Sequence, residues 1–332
     1  MQAIFAVTFP FFALVLLGYL SARRGVLPES AIPGLNGFVL FFALPCMLFQ
    51  FGASRPFGEL IDPVLIGMYA ACALLLVFFT IALTWRRTAG ASGLSLKDSS
   101  FVALVSTFPN SGFMGVPLLV GLLGDAAAGP LIGAILVDLV LTSSLCLALA
   151  RMGPGEGAAA QGGMAGGFLR ALRGAVSNPL PWAIALGAAV AASGFGLPTP
   201  VAQIVKMLGD AATPVALFTI GAVLWRAESH THTRTPVVGY LPLAMVKLFI
   251  HPMLVLGAGL VAGALGAQIS NFNLMVLVLT AALPSASNVS ILAERYGADN
   301  GRVARIIMLS TVMAFVTFSV FSWLLGAGRG KI

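Results

Sequence analysis

Charged side chains are nearly missing from this chain: Asp, Glu, Lys and Arg together make up 9% of its 332 residues, while 59% are hydrophobic. A soluble domain carries roughly 25% charge, so that class is excluded, and a mean hydropathy of +1.00 points to lipid. Cysteine is scarce as well. Cys46, Cys72 and Cys146 all fall inside apolar runs, without paired metal-ligand spacing or an extracellular cluster, and read as small buried hydrophobes. Of the three histidines, His230 and His232 lie in the polar stretch ESHTHTR and look like a solvated loop; two imidazoles alone make a poor metal site, so no metal is expected. The net charge of +7 comes from basic residues dispersed between apolar runs, with no aromatic-interleaved patch, which argues against a nucleic-acid partner. No Gly-Lys-Ser/Thr phosphate loop is present to power a pump, and Asp138 and Asp210 have no matching local motif of a membrane aspartyl protease. An enzyme is therefore not expected, nor a cofactor. No basic region precedes the first apolar run, and Arg23 and Arg24 follow it, so a cleaved signal peptide is not expected either.

What the chain has in abundance is apolar runs of membrane-spanning length, about 20 residues each. Ten are assigned, at about 3–21, 33–52, 63–85, 99–123, 130–150, 178–196, 200–226, 236–265, 272–294 and 302–326. The fold class expected is thus all-α, a polytopic membrane protein with the lipid bilayer as its solvent. A glycine-rich, low-complexity link at 151–177, containing GPGEGAAAQGGMAGG, separates residues 1–150 from 178–332 and reads as a flexible cytoplasmic connection. Lys and Arg set the orientation. Thirteen fall on one side (Arg23, Arg24, Arg86, Arg87, Lys97, Arg151, Arg170, Arg173, Arg226, Arg234, Arg295, Arg302, Arg305) and three on the other (Arg55, Arg329, Lys331). With ten crossings, both termini lie outside. Five crossings per half make the second half inverted relative to the first, a plan common among secondary transporters.

Two runs are interrupted. TFPNSGFMGVPLL, from Thr107 to Leu119, holds Pro109, Asn110, Ser111, Gly112, Gly115 and Pro117 inside the fourth span. LTAALPSASNVSILAERYG, from Leu279 to Gly297, holds Pro284, Ser285, Ser287 and Asn288 inside the ninth. Proline and glycine should break both helices near their middles. At that depth an unwound backbone must be paired, buried in protein or facing water. Placing Pro109 on Pro284 sets Asn110 on Ser285, Gly112 on Ser287 and Phe113 on Asn288; elsewhere Pro45 in ALPCMLFQFGA answers Pro214 in ATPVALFTIGAV, about 169 residues on. The chain reads as two related halves. Each half-helix after a break should aim its first N–H groups and positive dipole end at the bilayer centre, which favours an anion. The Asn and Ser side chains beside the breaks could hold that anion or replace lost backbone pairing. A pair of ligand-free kinks is the bland alternative.

Charges within spans are costly and suggest function by default. Lys247 lies in the eighth span with His251 one turn on (AMVKLFIHPM), and Asp138 lies in the fifth (AILVDLVLTS). Lys247 is expected to face the breaks and to pair with Asp138 or with a substrate carboxylate; a static ion pair between helices is the alternative. Asp138 and His251 are the candidates for coupling to H+ or Na+. Lys206 and Asp210, four apart in the seventh span, should neutralise each other on one helix face. Glu294 and Arg295 fall at the cytoplasmic end of the ninth span.

PNSGFMGVPLL resembles the fourth-helix motif of the auxin efflux carrier family, and LPSASNVSILAERYG looks like that family's ninth-helix crossover. The resemblance covers nearly the whole chain. It implies two inverted five-helix repeats, related to the bile-acid sodium symporters and sodium/proton antiporters. In such folds helices 1, 2, 6 and 7 form a scaffold that often dimerises, and helices 3–5 and 8–10 form a core whose fourth and ninth helices cross at the substrate site. Residue by residue, Pro109, Asn110, Gly115 and Pro117 match the first crossover, and Pro284 with Ser285 to Asn288 matches the second. The activity implied is an elevator or rocking motion of core against scaffold that moves a small organic anion, with bacterial relatives suggested to carry malate or malonate. A bacterial source implies the cell inner membrane. The departure is the short Gly-rich link where plant members often have a long cytoplasmic loop. An ion-coupled symporter or exchanger of the same fold is the alternative, although neither break carries the acidic residue that cation exchange usually uses.

Overall fold

The computed structural model describes residues 2–53, 62–85, 93–152, 179–194, 196–229 and 236–327. The glycine-rich stretch from Gly153, His230, His232, and the loop cations Arg55, Arg86, Arg87, Arg170, Arg173, Arg234, Arg329 and Lys331 lie outside the described residues. Among those described, the chain is helical, with no strand beyond two isolated backbone bridges. The helices are α1 Gln2–Arg23, α2 Ala31–Ala53, α3 Pro63–Thr84, α4 Leu96–Thr107, α5 Ser111–Leu123 and α6 Asp125–Ala150. They continue with α7 Pro179–Ser193, α8 Thr199–Ser229, α9 Leu241–Ala264, α10 Asn271–Ala281, α11 Asn288–Arg295 and α12 Asn300–Leu324. Six of them (α2, α3, α6, α8, α9 and α12) are long and apolar enough to cross a membrane, and α1, α5, α7 and α10 hold shorter apolar stretches. The protein is a multi-pass membrane protein.

Local chemistry sets the helix boundaries. The Asp62 carboxylate accepts from the amides of Val64 and Leu65, with Pro63 pre-set in the first turn of α3. Ser95 accepts from the Asp98 amide while its hydroxyl donates back to the Asp98 carboxylate, closing the start of α4. Prolines shape the interiors. Pro45, Pro117 and Pro252 each follow a π-helical turn, at Val39–Ala43, Ser111–Gly115 and Val246–Ile250. A proline ring collides with the carbonyl four residues back, and a widened turn moves that carbonyl aside. A further π-turn, Val137–Thr142 in α6, has no proline; there the Ser143 hydroxyl donates to the Asp138 carbonyl at 2.9 Å.

Glycine lets two pairs of helices touch backbone to backbone. A Cβ at Gly18 of α1 would fall on the Phe218 carbonyl of α8, and one at Gly221 of α8 on the Val15 carbonyl of α1. In the same way Gly52 of α2 meets the Ile184 carbonyl of α7, and Gly187 of α7 meets the Phe49 carbonyl of α2. Small residues permit such close approach in lipid, where packing rather than water exclusion drives helix association. The second crossing repeats the first: Gly18 is to Gly187, and Gly52 to Gly221, as Pro45 is to Pro214.

Polar contacts tie several helix ends to one another. Arg151 donates to the Tyr296 hydroxyl at 2.9 Å and lies over its ring, Asp98 accepts from the Asp299 amide at 2.8 Å, and Arg226 pairs with Glu29 at 3.3 Å. Arg226 and Lys206 of α8 are separated by about 30 Å of helix at 1.5 Å per residue, one hydrocarbon thickness. Lys206 is bound to Asp210 at 2.7 Å, and both are exposed, the self-neutralised pair expected from their spacing.

Candidate functional site

α4 ends at Thr107 because Pro109 cannot continue it, and α10 ends at Ala281 ahead of Pro284. At 12 and 11 residues these half-helices are about 18 and 16 Å long, about half of one hydrocarbon thickness. Past their ends the two unwound segments lie antiparallel and pair. The Asn110 amide donates to the Pro284 carbonyl at 2.8 Å, and the Ala286 amide donates to the Phe108 carbonyl at 3.0 Å. Pro109 and Ser285 stand opposite each other between these bonds. In an antiparallel ladder, the residues of such a pair turn their own N–H groups away from the partner strand. Pro109 therefore lacks only a donor the pairing does not use, and the Ser285 N–H finds the Ser310 hydroxyl of α12 at 3.2 Å. The pairing is symmetric about Pro109 and Ser285, one residue away from the register that superposes the two prolines. The two-fold relation between the two bonds places Ser111 in the role of Ser287 and Gly112 in that of Asn288.

Every polar residue predicted at the breaks lies at or beside this crossing. Asn110 is 3% exposed, precedes the first turn of α5 and makes no capping bond with its side chain; its carbonyl takes the amides of Met114 and Gly115. The amides of Ser111, Gly112 and Phe113 precede the first intrahelical bonds of α5, and those of Ser287 and Asn288 stand at the start of α11. The Ser111 hydroxyl reaches only the Pro109 carbonyl, at 3.5 Å. Two side-chain oxygens, Ser285 Oγ and Asn288 Oδ1, are buried without a partner. The residues at the opening are Gly112 and Asn288, both half-buried, and a Cβ at Gly112 would meet nothing within 4 Å. Gly115 has the opposite role: a Cβ there would press on Leu283 at 2.6 Å, so glycine allows α5 to pack on the second break. Two half-helix N-termini, the Ser285 hydroxyl and open space in front of Gly112 form an arrangement of donors suited to an anion.

Of the two partners expected for Lys247, Asp138 is not in direct contact with it. Lys247 and Asp138 are fully buried, yet no salt bridge joins them among the described residues. Each is held by neutral dipoles instead. Tyr69 donates to Asp138 Oδ2 at 3.2 Å and Thr142 to Oδ1 at 3.3 Å. Lys247 donates to the carbonyl of Ala281 at 2.7 Å and lies 3.1 Å from His251 Nδ1. Ala281 is the last residue of α10, so the ammonium caps the negative end of a broken helix. Both charges sit on π-turns, where the widened backbone turns them inward. Glu294 and Arg295 end α11, exposed as expected.

Tyr69 and Ser310 escape the sequence reading. A tyrosine in the middle of an apolar span, one of only four in the chain, is a signal that could have found the first. Ser310 has none: hydroxyls that bond the preceding turn are ordinary in membrane helices, as Ser310 itself does to Ile307 at 3.0 Å.

A family of membrane transport proteins matches residues 3–165 and 168–322 of the chain. A Rhizobium meliloti protein described as "Putative malonate transporter" is 28% identical over 331 residues, covering 99% of this chain and 98% of that one. An "Uncharacterized transporter" of Methanothermobacter thermautotrophicus is 31% identical over 314 residues, 93% of this chain and 94% of its own. Auxin efflux carrier component 8 of Arabidopsis thaliana is 23% identical over 361 residues, 96% of each chain.

Proposed function

Since the chain belongs to the membrane transport protein family, that of the auxin efflux carriers, we propose that it is a secondary carrier moving a small organic anion, a carboxylate, by alternating access. Family membership makes it a membrane transporter and not an enzyme. The observation that carries the finer reading is the meeting of two interrupted helices at mid-membrane, with the N-termini of α5 and α11 and the side chains of Asn110, Ser111, Ser285, Ser287 and Asn288 around open space at Gly112. The substrate carboxylate takes the amides there, and the Asn side chains fix its orientation.

The architecture of this reading is ten crossings in two inverted five-helix repeats, at 1–150 and 178–332. The repeated glycine crossings of α1 with α8 and of α2 with α7 support it, since an inverted repeat reproduces each contact with the roles exchanged. Those four helices are the scaffold and the surface of a homodimer; α3 to α6 and α9 to α12 are the core that slides against it as an elevator. Both termini face outward from the cell inner membrane. Malonate is the first substrate to try, by the name of the Rhizobium meliloti relative.

Thermal stabilisation of the purified protein by a panel of carboxylates, malonate included, tests the site. A stabilising carboxylate should lose its effect in Asn110→Ala and bind at least tenfold more weakly to Asn288→Asp, a difference of about 1.4 kcal/mol. A ligand insensitive to both changes moves the site elsewhere.

A further inference from the structure

Beside the second break lies a cluster that anion binding alone does not require. Tyr69 of α3, Asp138 of α6, and Lys247 and His251 of α9 are each fully buried, and the rings of Tyr69 and His251 are 5.9 Å apart. We propose that this cluster is a proton-binding site that loads together with the organic anion and makes the carrier a proton symporter; the inference rests on the carrier reading above.

Charge is the first argument. An ammonium has only donors to offer, so His251 Nδ1 accepts from Lys247 and the imidazole is neutral. Asp138 and Lys247 then cancel, and the empty core carries no net charge at this depth. A bound anion makes it negative, and moving one uncompensated charge across 100 mV takes about 2.3 kcal/mol besides its desolvation. One proton added to the cluster restores neutrality for a monoanion and halves the excess charge of a dicarboxylate such as malonate.

Geometry is the second. Lys247 is bonded to the carbonyl of Ala281, three residues before Pro284, whose own carbonyl holds the Asn110 amide. The cluster is thus fastened to the backbone that forms the anion site. The third is an unsatisfied atom: His251 Nε2, which carries the hydrogen of this tautomer, is buried without a hydrogen-bond partner, so the imidazole offers a spare donor while the carboxylate of Asp138 is the proton acceptor of the cluster. The other titratable group facing the cluster is Cys72 of α3, whose thiol is directed to the Leu254 carbonyl at 3.8 Å; α10 contributes only the Ala281 carbonyl. Sodium fits poorly, because the ammonium of Lys247 already occupies the carbonyl end that would coordinate it. In the step itself a proton from water adds to the Asp138 carboxylate, which Tyr69 and Thr142 hold, and returns to water on the far side with no other covalent bond made or broken.

The experiment uses protein reconstituted in liposomes that contain a pH-sensitive dye, with the potential clamped by potassium and valinomycin and malonate as the probe. Net malonate uptake is followed with the dye, and labelled malonate counterflow, an exchange that moves no net proton, is measured separately. Wild type should acidify the lumen during net malonate uptake, and an acid exterior should raise its initial uptake at least tenfold more than that of the variants, which meet the same protonation state of malonate. In Asp138→Asn, neutral like the protonated acid, and in His251→Gln, counterflow should become insensitive to pH and the dye signal should fall to that of empty liposomes. If Asp138→Asn is not monodisperse, His251→Gln carries the same test. Net uptake without acidification, undiminished acidification in the folded variants, or uptake driven by sodium overturns proton coupling while the carrier reading stands. Absence of counterflow with malonate and with every other carboxylate tried overturns both.

Discussion

Ser310 illustrates how a single hydroxyl stabilises a broken membrane helix. Its oxygen accepts the Ser285 amide, the one N–H at the centre of the crossing that the partner segment does not take. In hydrocarbon no water replaces it, so Ser310→Ala should destabilise the protein by about 1–3 kcal/mol, read as a lower melting temperature of the detergent-solubilised carrier. Ser310→Thr, which keeps the oxygen, should recover most of that loss. Lys247 teaches a different lesson. Its position in an apolar span announces an unusual group, but whether an ammonium meets a carboxylate, a carbonyl or a substrate depends on helices distant in sequence. The carbonyl of Ala281 and the ring of His251 proved to be its partners, with Asp138 held separately by Tyr69 and Thr142.

The elements divide into continuous rods and interrupted ones, and proline alone does not decide which. Pro10 lies within α1 and Pro214 within α8, both of which remain helical, and Pro45 and Pro252 are absorbed by π-turns. The helices part where proline is joined by small polar residues and where a second unwound segment is available to take the freed backbone groups, as at Pro109 and Pro284. The rods depend on glycine instead. Gly18→Ala and Gly187→Ala each place a Cβ on a backbone carbonyl, so α1 must move from α8, or α7 from α2. Overpacking of that kind should lower stability by about 1–3 kcal/mol and reduce the monodisperse fraction on size exclusion. Gly34→Ala, where a Cβ meets nothing, should leave both unchanged.

At the scale of the whole molecule, the distribution of Lys and Arg makes a topological claim that labelling checks. With the native cysteines replaced by alanine, Gln268→Cys in the exposed turn between α9 and α10 should react with a membrane-impermeant maleimide on intact cells. Glu294→Cys, at the end of α11, should react only after lysis; the reverse pattern would invert the protein in the membrane. The sequence by itself determined the membrane class, the ten apolar runs and the places of both breaks, because hydrocarbon demands long apolar helices and proline with glycine disrupts them locally. It also revealed the relation between Pro45 and Pro214 that the glycine crossings repeat. Only the tertiary structure decided that the breaks pair with each other in a register set by Pro109 and Ser285, and that two buried charges of opposite sign share one cluster without a direct bond, each hydrogen-bonded to neutral groups. Those outcomes depend on which backbone groups and side chains from distant spans arrive at the same depth, and neither hydropathy nor local propensity encodes that meeting.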